Sequence, residues 1–232
     1  MRTAARAGVR RVVHVSTVAV YGNVLPLRVT EEAPLGYGCS PYAITKAAGE
    51  AVVRDSGVPY AIVRPAMIFG PGSNMWTANV FRLAKLRPTP FLGAGEQPAP
   101  AIYVGDLADL LLLAATHPAA DGEIFNAVLD PAPAWREFIG ACSALAGHSD
   151  WLALPPLAGR LLAWSMLLGA PRYSTARDFP DMIEQVLGPS SFDAGKAHRL
   201  LGWRAQTTPA EGAQQSAAWV RAIGLLKEAK PL

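Results

Sequence analysis

The chain has 232 residues, of which 51% are apolar and 17% charged, with 21 Lys+Arg against 18 Asp+Glu. This supply of core-forming side chains excludes intrinsic disorder, and a net charge of +3 with no basic run excludes a nucleic-acid binder of the electrostatic kind. The most apolar stretch, 151–171, is broken by Pro155, Pro156, Gly159 and Arg160, so no run reaches the ~18–20 residues of a membrane span.

Residues 3–8 read as the last turns of a helix that stops at Gly8. The β-branched run Arg11–Ser16 follows, apolar almost without alternation, which marks a strand covered on both faces as in a parallel sheet. Residues 23–40 hold Pro26, Pro34, Gly36 and Gly38 and read as a loop. Ser40-Pro41 is a helix start, with Ser as N-cap and Pro at the first helical position, and the helix runs to a stop at Gly57. Tyr60–Arg64 is a second short buried strand closed by Pro65, and Gly70-Pro-Gly72 a turn. A helix near 77–86 precedes a Pro/Gly-rich loop to Pro100. Ala101–Val104 is extended, Gly105–His117 a buried apolar helix and Glu123–Val128 a third strand. Strands alternating with helices predict a doubly wound α/β sheet. After Asp130 helices dominate, at about 133–146, 157–169, 175–187, 193–201 and 208–224. Within this lobe, Leu157–Leu168 reads as a buried helix, with an interfacial helix as the other reading.

Two side chains suggest chemistry. Tyr42 and Lys46 stand four apart on one helix, hence on one face. A neighbouring ammonium favours phenolate over phenol, so such a Tyr can exchange a proton with a substrate oxygen near neutral pH. The spacing alone is weak. Thr17 adds context, because it ends a buried strand, and ligands collect at the carboxyl ends of parallel strands. The remaining candidates have plainer readings. His14 is a core or sheet-face residue, and His117, His148 and His198 show no ligand spacing, so no metal is expected. Asp106 is a helix cap, Trp203 packing and Cys39 a passive thiol near Tyr42. With Cys142 as the only other cysteine, a reducing, cytoplasmic compartment fits.

The blocks Ser16-Thr-Val-Ala-Val-Tyr-Gly22, Ser40-Pro-Tyr-Ala-Ile-Thr-Lys46, Val63-Arg-Pro-Ala-Met-Ile-Phe-Gly-Pro-Gly72 and Tyr103-Val-Gly-Asp-Leu-Ala108 occur in that order. Gly122-Glu-Ile-Phe-Asn-Ala127 and a final block from Phe192 to Trp203 follow. Together they resemble the extended short-chain dehydrogenase/reductase family, which includes NAD-dependent epimerases and dehydratases and steroid-dehydrogenase-like reductases. The resemblance implies a Rossmann-type fold, NAD or NADP as cofactor, and hydride transfer at a carbonyl or secondary alcohol. It implies that Thr17 polarises the substrate oxygen, that Tyr42 is the acid/base, and that Lys46 assists it and bonds the nicotinamide ribose. Ser16, Pro65, Met67 and Ile68 would line the cofactor, and Asn74 and Trp76 the substrate. Residues 1–128 would be the remainder of the dinucleotide-binding domain, with a substrate loop at 70–100, and 129–232 a helical substrate-binding lobe. Helix 41–57 resembles half of a dimer-forming pair, so a homodimer is possible.

The family's Gly-rich phosphate turn is absent, since no G-x-x-G-x-x-G or G-x-G-x-x-G occurs. By the resemblance, roughly the first 100 residues are missing. The strand at 11–16 would then be an edge, and the chain alone would bind dinucleotide poorly. Nucleotide-sugar enzymes of the family carry Asn at the position of Met67 and Arg near Ala99. The two apolar replacements, with the Leu/Trp-rich segment 151–171, lean toward an apolar ketone or alcohol. A sugar-nucleotide epimerase or dehydratase is the alternative. A truncated, inactive module that only binds or dimerises is a third reading.

Overall fold

The computed structural model describes residues 1–23, 25–36, 40–167 and 179–226. Cys39 and positions 175–178 of an expected helix lie outside the described residues. The chain begins with α1 (Arg2–Arg6), β1 (Val12–Val15), a 3-10 turn (Val18–Tyr21), β2 (Arg28–Val29), α2 (Pro41–Arg54) and β3 (Tyr60–Pro65). There follow β4 (Met67–Phe69), a π-helical turn (Asn74–Ala78), α3 (Asn79–Ala84), β5 (Thr89–Leu92), β6 (Ala101–Tyr103) and α4 (Val104–Thr116). A 3-10 turn (Pro118–Ala120), β7 (Glu123–Ala127), α5 (Trp135–Leu145), β8 (Trp151–Leu154) and α6 (Pro156–Leu167) come next. The last elements are α7 (Phe179–Leu187), β9 (Ser191–Phe192), α8 (Gly195–Leu201) and α9 (Pro209–Ala222).

Two compact units form. One takes residues 1–68, 100–132 and 191–207, the other 69–99, 133–190 and 208–232. The units are interleaved along the chain, where the sequence suggested a single boundary at 128/129.

The first unit holds the parallel sheet β1-β3-β7, with β3 in the centre and β1 at an edge. Ala61, Ile62 and Val63 of β3 are fully buried, which explains the continuous apolar run, since both faces are covered. The faces alternate with period two. Ala61, Val63 and Phe125 join Leu107, Leu110 and Ala114 of α4 in the main core. His14, paired in register with Ile62, lies instead against Gly49 of α2. With α4 on one face and α2 on the other, the sheet is doubly wound. The mostly apolar helix expected to be buried at 105–117 is covered on one side only, because Leu112 of α4 is 65% exposed.

The second unit is built around an aromatic cluster. Phe69 meets Phe138 edge-on at 5.2 Å, and Phe91 lies 5.7 Å from Trp135 and 5.4 Å from Trp151. β5 and β8 pair in parallel, Thr89 opposite Trp151 and Leu92 opposite Leu154. Neither strand is foreseen in the sequence: β5 falls in the Pro/Gly-rich loop expected up to Pro100, and β8 in the apolar stretch 151–171. Each is only four residues long and gains its partner from a distant segment. The helix expected at 77–86 is α3 preceded by the π-helical turn. α9 opens with a capping box: Thr208 Oγ1 accepts from the Glu211 amide at 3.3 Å, and Glu211 Oε2 accepts from the Thr208 amide at 2.8 Å. The reading of α6 as a buried helix is overturned, since Leu157, Leu161 and Trp164 all remain more than 60% exposed. Arg160 on α6 makes a two-point ion pair with Glu184 on α7, at 2.7 and 2.9 Å. Among the described residues, no helix is long and apolar enough to cross a membrane.

Candidate active site

The first unit carries the central residues. Ser40 caps α2 as expected, its Oγ accepting from the Ala43 amide at 3.3 Å, with Pro41 in the first turn. The helix then places Tyr42, Lys46 and Glu50 at successive four-residue steps, on one side. Tyr42 is 54% exposed, Lys46 half-buried and Glu50 fully buried. The side therefore descends from solvent into the protein one turn at a time. Lys46 Nζ lies 5.9 Å from the centroid of the Tyr42 ring and donates to the Val15 carbonyl at 3.0 Å. Val15 is the last residue of β1.

Thr17 stands two residues further. Its backbone is extended, and its Oγ1 accepts from the Ala19 amide at 3.2 Å, capping the 3-10 turn. Among the described residues no acceptor takes its hydroxyl hydrogen. The turn is held from behind by the Gly36 amide, which donates to the Val20 carbonyl at 2.9 Å. A Cβ at position 36 would collide with the Tyr21 carbonyl, so only glycine allows this approach.

Beneath these groups lies a buried polar network that the sequence reading did not find. Arg64, in the centre of the sheet, donates from Nε and Nη2 to the two carboxylate oxygens of Glu50 at 2.9 and 2.7 Å. Its Nη1 donates to the Tyr21 hydroxyl at 2.9 Å, and Tyr21 donates to Asn126 Oδ1 at 2.7 Å. The Asn126 amide donates to Glu31 Oε1 at 2.8 Å. Burial alone would raise the Glu50 pKa, but the Arg64 fork holds it below the usual carboxylate range, with help from nearby Ser16. Burial pushes the Tyr21 phenol up to about 12 and also raises Glu31. One signal was available: a charged residue inside a continuous apolar strand needs a buried partner.

The other expected residues divide. Ser16 is buried near Glu50, its hydroxyl turned inward without a well-formed hydrogen bond, while its amide donates to the Val63 carbonyl at 2.7 Å. Any contact from Ser16 to a cofactor would thus come from its backbone. Pro65 and Met67 are buried and Ile68 half-buried, where β3 passes into β4. The Met67 amide is used by the Pro100 carbonyl at 2.8 Å. Asn74 and Trp76 belong to the second unit, exposed and half-buried respectively in the π-helical turn. Asp106 does not cap its own helix; its carboxylate accepts from the Gln206 and Thr207 amides at 3.2 and 2.9 Å. Trp203 is buried and donates to the Asp106 carbonyl at 3.1 Å. Burial, then the Lys46 charge, lowers the pKa of His14. The second unit has an open cleft of about 440 Å³ lined by Leu92, Gly93, Gln97, Pro156 and Arg160 among others.

A doubly wound parallel sheet, with a helix anchored at the carboxyl end of β1, defines the class of α/β proteins in which ligands collect at strand ends. The model of the NAD dependent epimerase/dehydratase family matches residues 1–127. The chain belongs to that family, within the extended short-chain dehydrogenases/reductases. It is 23% identical to the UDP-glucose 4-epimerase of Vibrio cholerae over 91% of this chain and 63% of that protein. It is 30% identical to the ceramide reductase of Caulobacter vibrioides over 81% of this chain and 59% of that protein. The Bordetella bronchiseptica enzyme WbmG, solved in complex with NAD and UDP, superposes with a TM-score of 0.70 at 20% identity, over 97% of this chain and 63% of that one. The chain thus spans less than two thirds of the length of these relatives.

Proposed function

We propose that the chain carries the proton-transfer and substrate-orienting half of an NAD(P)-dependent hydride-transfer enzyme acting at a carbonyl or secondary alcohol. The observation that carries this reading is the arrangement at the end of β1. Lys46 is anchored on the Val15 carbonyl beside the Tyr42 ring, and the Thr17 hydroxyl hydrogen is unclaimed two residues away. Thr17 donates to the substrate oxygen and orients it. Tyr42, open to solvent, gives that oxygen a proton or takes one from it. Lys46 keeps its ammonium beside the Tyr42 ring, 5.9 Å from the centroid. A nicotinamide, when bound here, would supply or accept the hydride. The residues present fit its ribose end: Lys46 has donors beyond the one used on Val15, and the segment from Pro65 to Ile68 would pack along the ring. They do not supply a Gly-rich cradle for the pyrophosphate, so we expect the 232-residue chain to bind dinucleotide weakly.

An apolar alcohol or ketone is the favoured substrate. Met67 and Ala99 are apolar and buried, and the Arg160 guanidinium in the second unit's cleft is already engaged by Glu184. The likeness to a ceramide reductase supports the same class. A sugar nucleotide is the second reading, favoured by the likeness to a UDP-glucose 4-epimerase.

The test incubates the full chain with NADH or NADPH and a long-chain ketone, and separately with NAD and UDP-glucose. Cofactor oxidation with the ketone supports the reductase. Conversion of UDP-glucose without net cofactor change supports the epimerase. Tyr42→Phe is expected to lower either rate at least about 100-fold. An unchanged rate in that variant overturns the assignment of Tyr42.

A further inference from the structure

We propose that Arg64 is a positioning residue whose single buried guanidinium joins the helix bearing Tyr42 and Lys46 to the turn bearing Thr17. This rests on the reading above, in which those three residues orient substrate and move its proton. Arg64 lies on the central strand and is 2% exposed. Two of its nitrogens hold Glu50, which sits one turn past Lys46 and two past Tyr42. Its third nitrogen holds the hydroxyl of Tyr21, the last residue of the 3-10 turn that Thr17 caps. The guanidinium lies 4.8 Å from the Tyr21 ring centroid. Tyr21 is fixed in turn by Asn126 on β7. One planar fork therefore sets both the rotation of α2 and the placement of the turn against a common strand.

Stability alone does not account for such a group. Removing two charges from water is costly, and apolar pairs of similar volume are often as stable. A lysine offers a point charge and cannot reproduce three directed donors. Reacting groups, by contrast, tolerate little misplacement; a shift of about 1 Å can cost about 100-fold in rate.

The experiment uses the full chain and three variants: the apolar double replacement Glu50→Leu/Arg64→Met, Arg64→Lys and Tyr21→Phe. Each is followed by thermal melting, by amide hydrogen exchange at Ala19 and along α2, and by the turnover assay above. The double variant is expected to stay folded. Its Ala19 and α2 amides should exchange at least about 10-fold faster. Its kcat should fall about 100-fold while the substrate KM stays within about threefold. Arg64→Lys should recover part of the kcat. Tyr21→Phe, which cuts only the arm to the turn, should speed exchange at Ala19 and spare α2. Unchanged exchange in the folded double variant, or unchanged kcat with faster exchange, overturns the proposal. If the double variant does not fold, the Tyr21→Phe pattern decides. If the parent chain shows no turnover at dinucleotide concentrations that saturate its binding, the functional reading fails, and the exchange data alone judge whether Arg64 couples the two elements.

Discussion

Lys46 donates to the Val15 carbonyl at 3.0 Å, and this bond ties the middle of α2 to the last residue of β1. Its ammonium is thereby held near the His14 ring, whose pKa it depresses. The same bond fixes the ammonium at the strand end, two residues before Thr17 in the chain.

Replacing Lys46 with Met removes that charge while keeping most of the side-chain length. His14 is lowered first by burial and second by Lys46. The imidazole should therefore titrate at a higher pH in the variant than in the parent, with the burial contribution remaining. Histidine NMR titration of both proteins reads this directly; an unmoved or lowered His14 value would contradict the placement of Lys46.

Glu50→Ala leaves the Arg64 guanidinium buried without its carboxylate. The expected loss is about 3–5 kcal/mol in urea unfolding, because an uncompensated buried charge has no water to replace its partner. Arg160→Ala breaks an ion pair with the same two-point geometry but with both partners about half exposed. It should leave the urea midpoint unchanged within error. Equal effects from the two variants would refute this ordering.

Stability should fall in two stages on acidification. His14 has a lowered folded pKa, so the unfolded chain takes up its proton first, and stability drops as pH falls through about 6.5. Glu50 and Asp193 are held low, against the effect of burial, by Arg64 and Arg28 respectively. Their contribution is complete above the ordinary carboxylate range and is lost as pH falls through it and below. Glu31, raised by burial, works in the opposite sense and offsets part of the second stage. Urea midpoints measured from pH 8 to 3 should show both stages, and His14→Gln should abolish only the first.

Cys142 is buried, and burial pushes its thiol up to about 12. In a Cys39→Ser background it should resist a thiolate-directed reagent at pH 8 until urea unfolds the chain. Rapid labelling of the native protein would show that α5 opens readily.

The sequence by itself determined what depends on local backbone periodicity. Ser40-Pro41 started α2, and a spacing of four put Tyr42 and Lys46 on one side of it, because a helix repeats nearly every four residues. The apolar runs within 11–16 and 60–64 marked strands covered on both faces; β3 is covered so, whereas β1, at the sheet edge, is only half-buried and leaves Val15 38% exposed. Pairings between distant segments left no such local trace. Only the tertiary structure joined β5 to β8, left Leu157, Leu161 and Trp164 uncovered, and brought Glu50, Arg64 and Tyr21 together. A buried charge finds its partner across space, and the surfaces that meet are chosen by whatever remains to be covered once each element has formed.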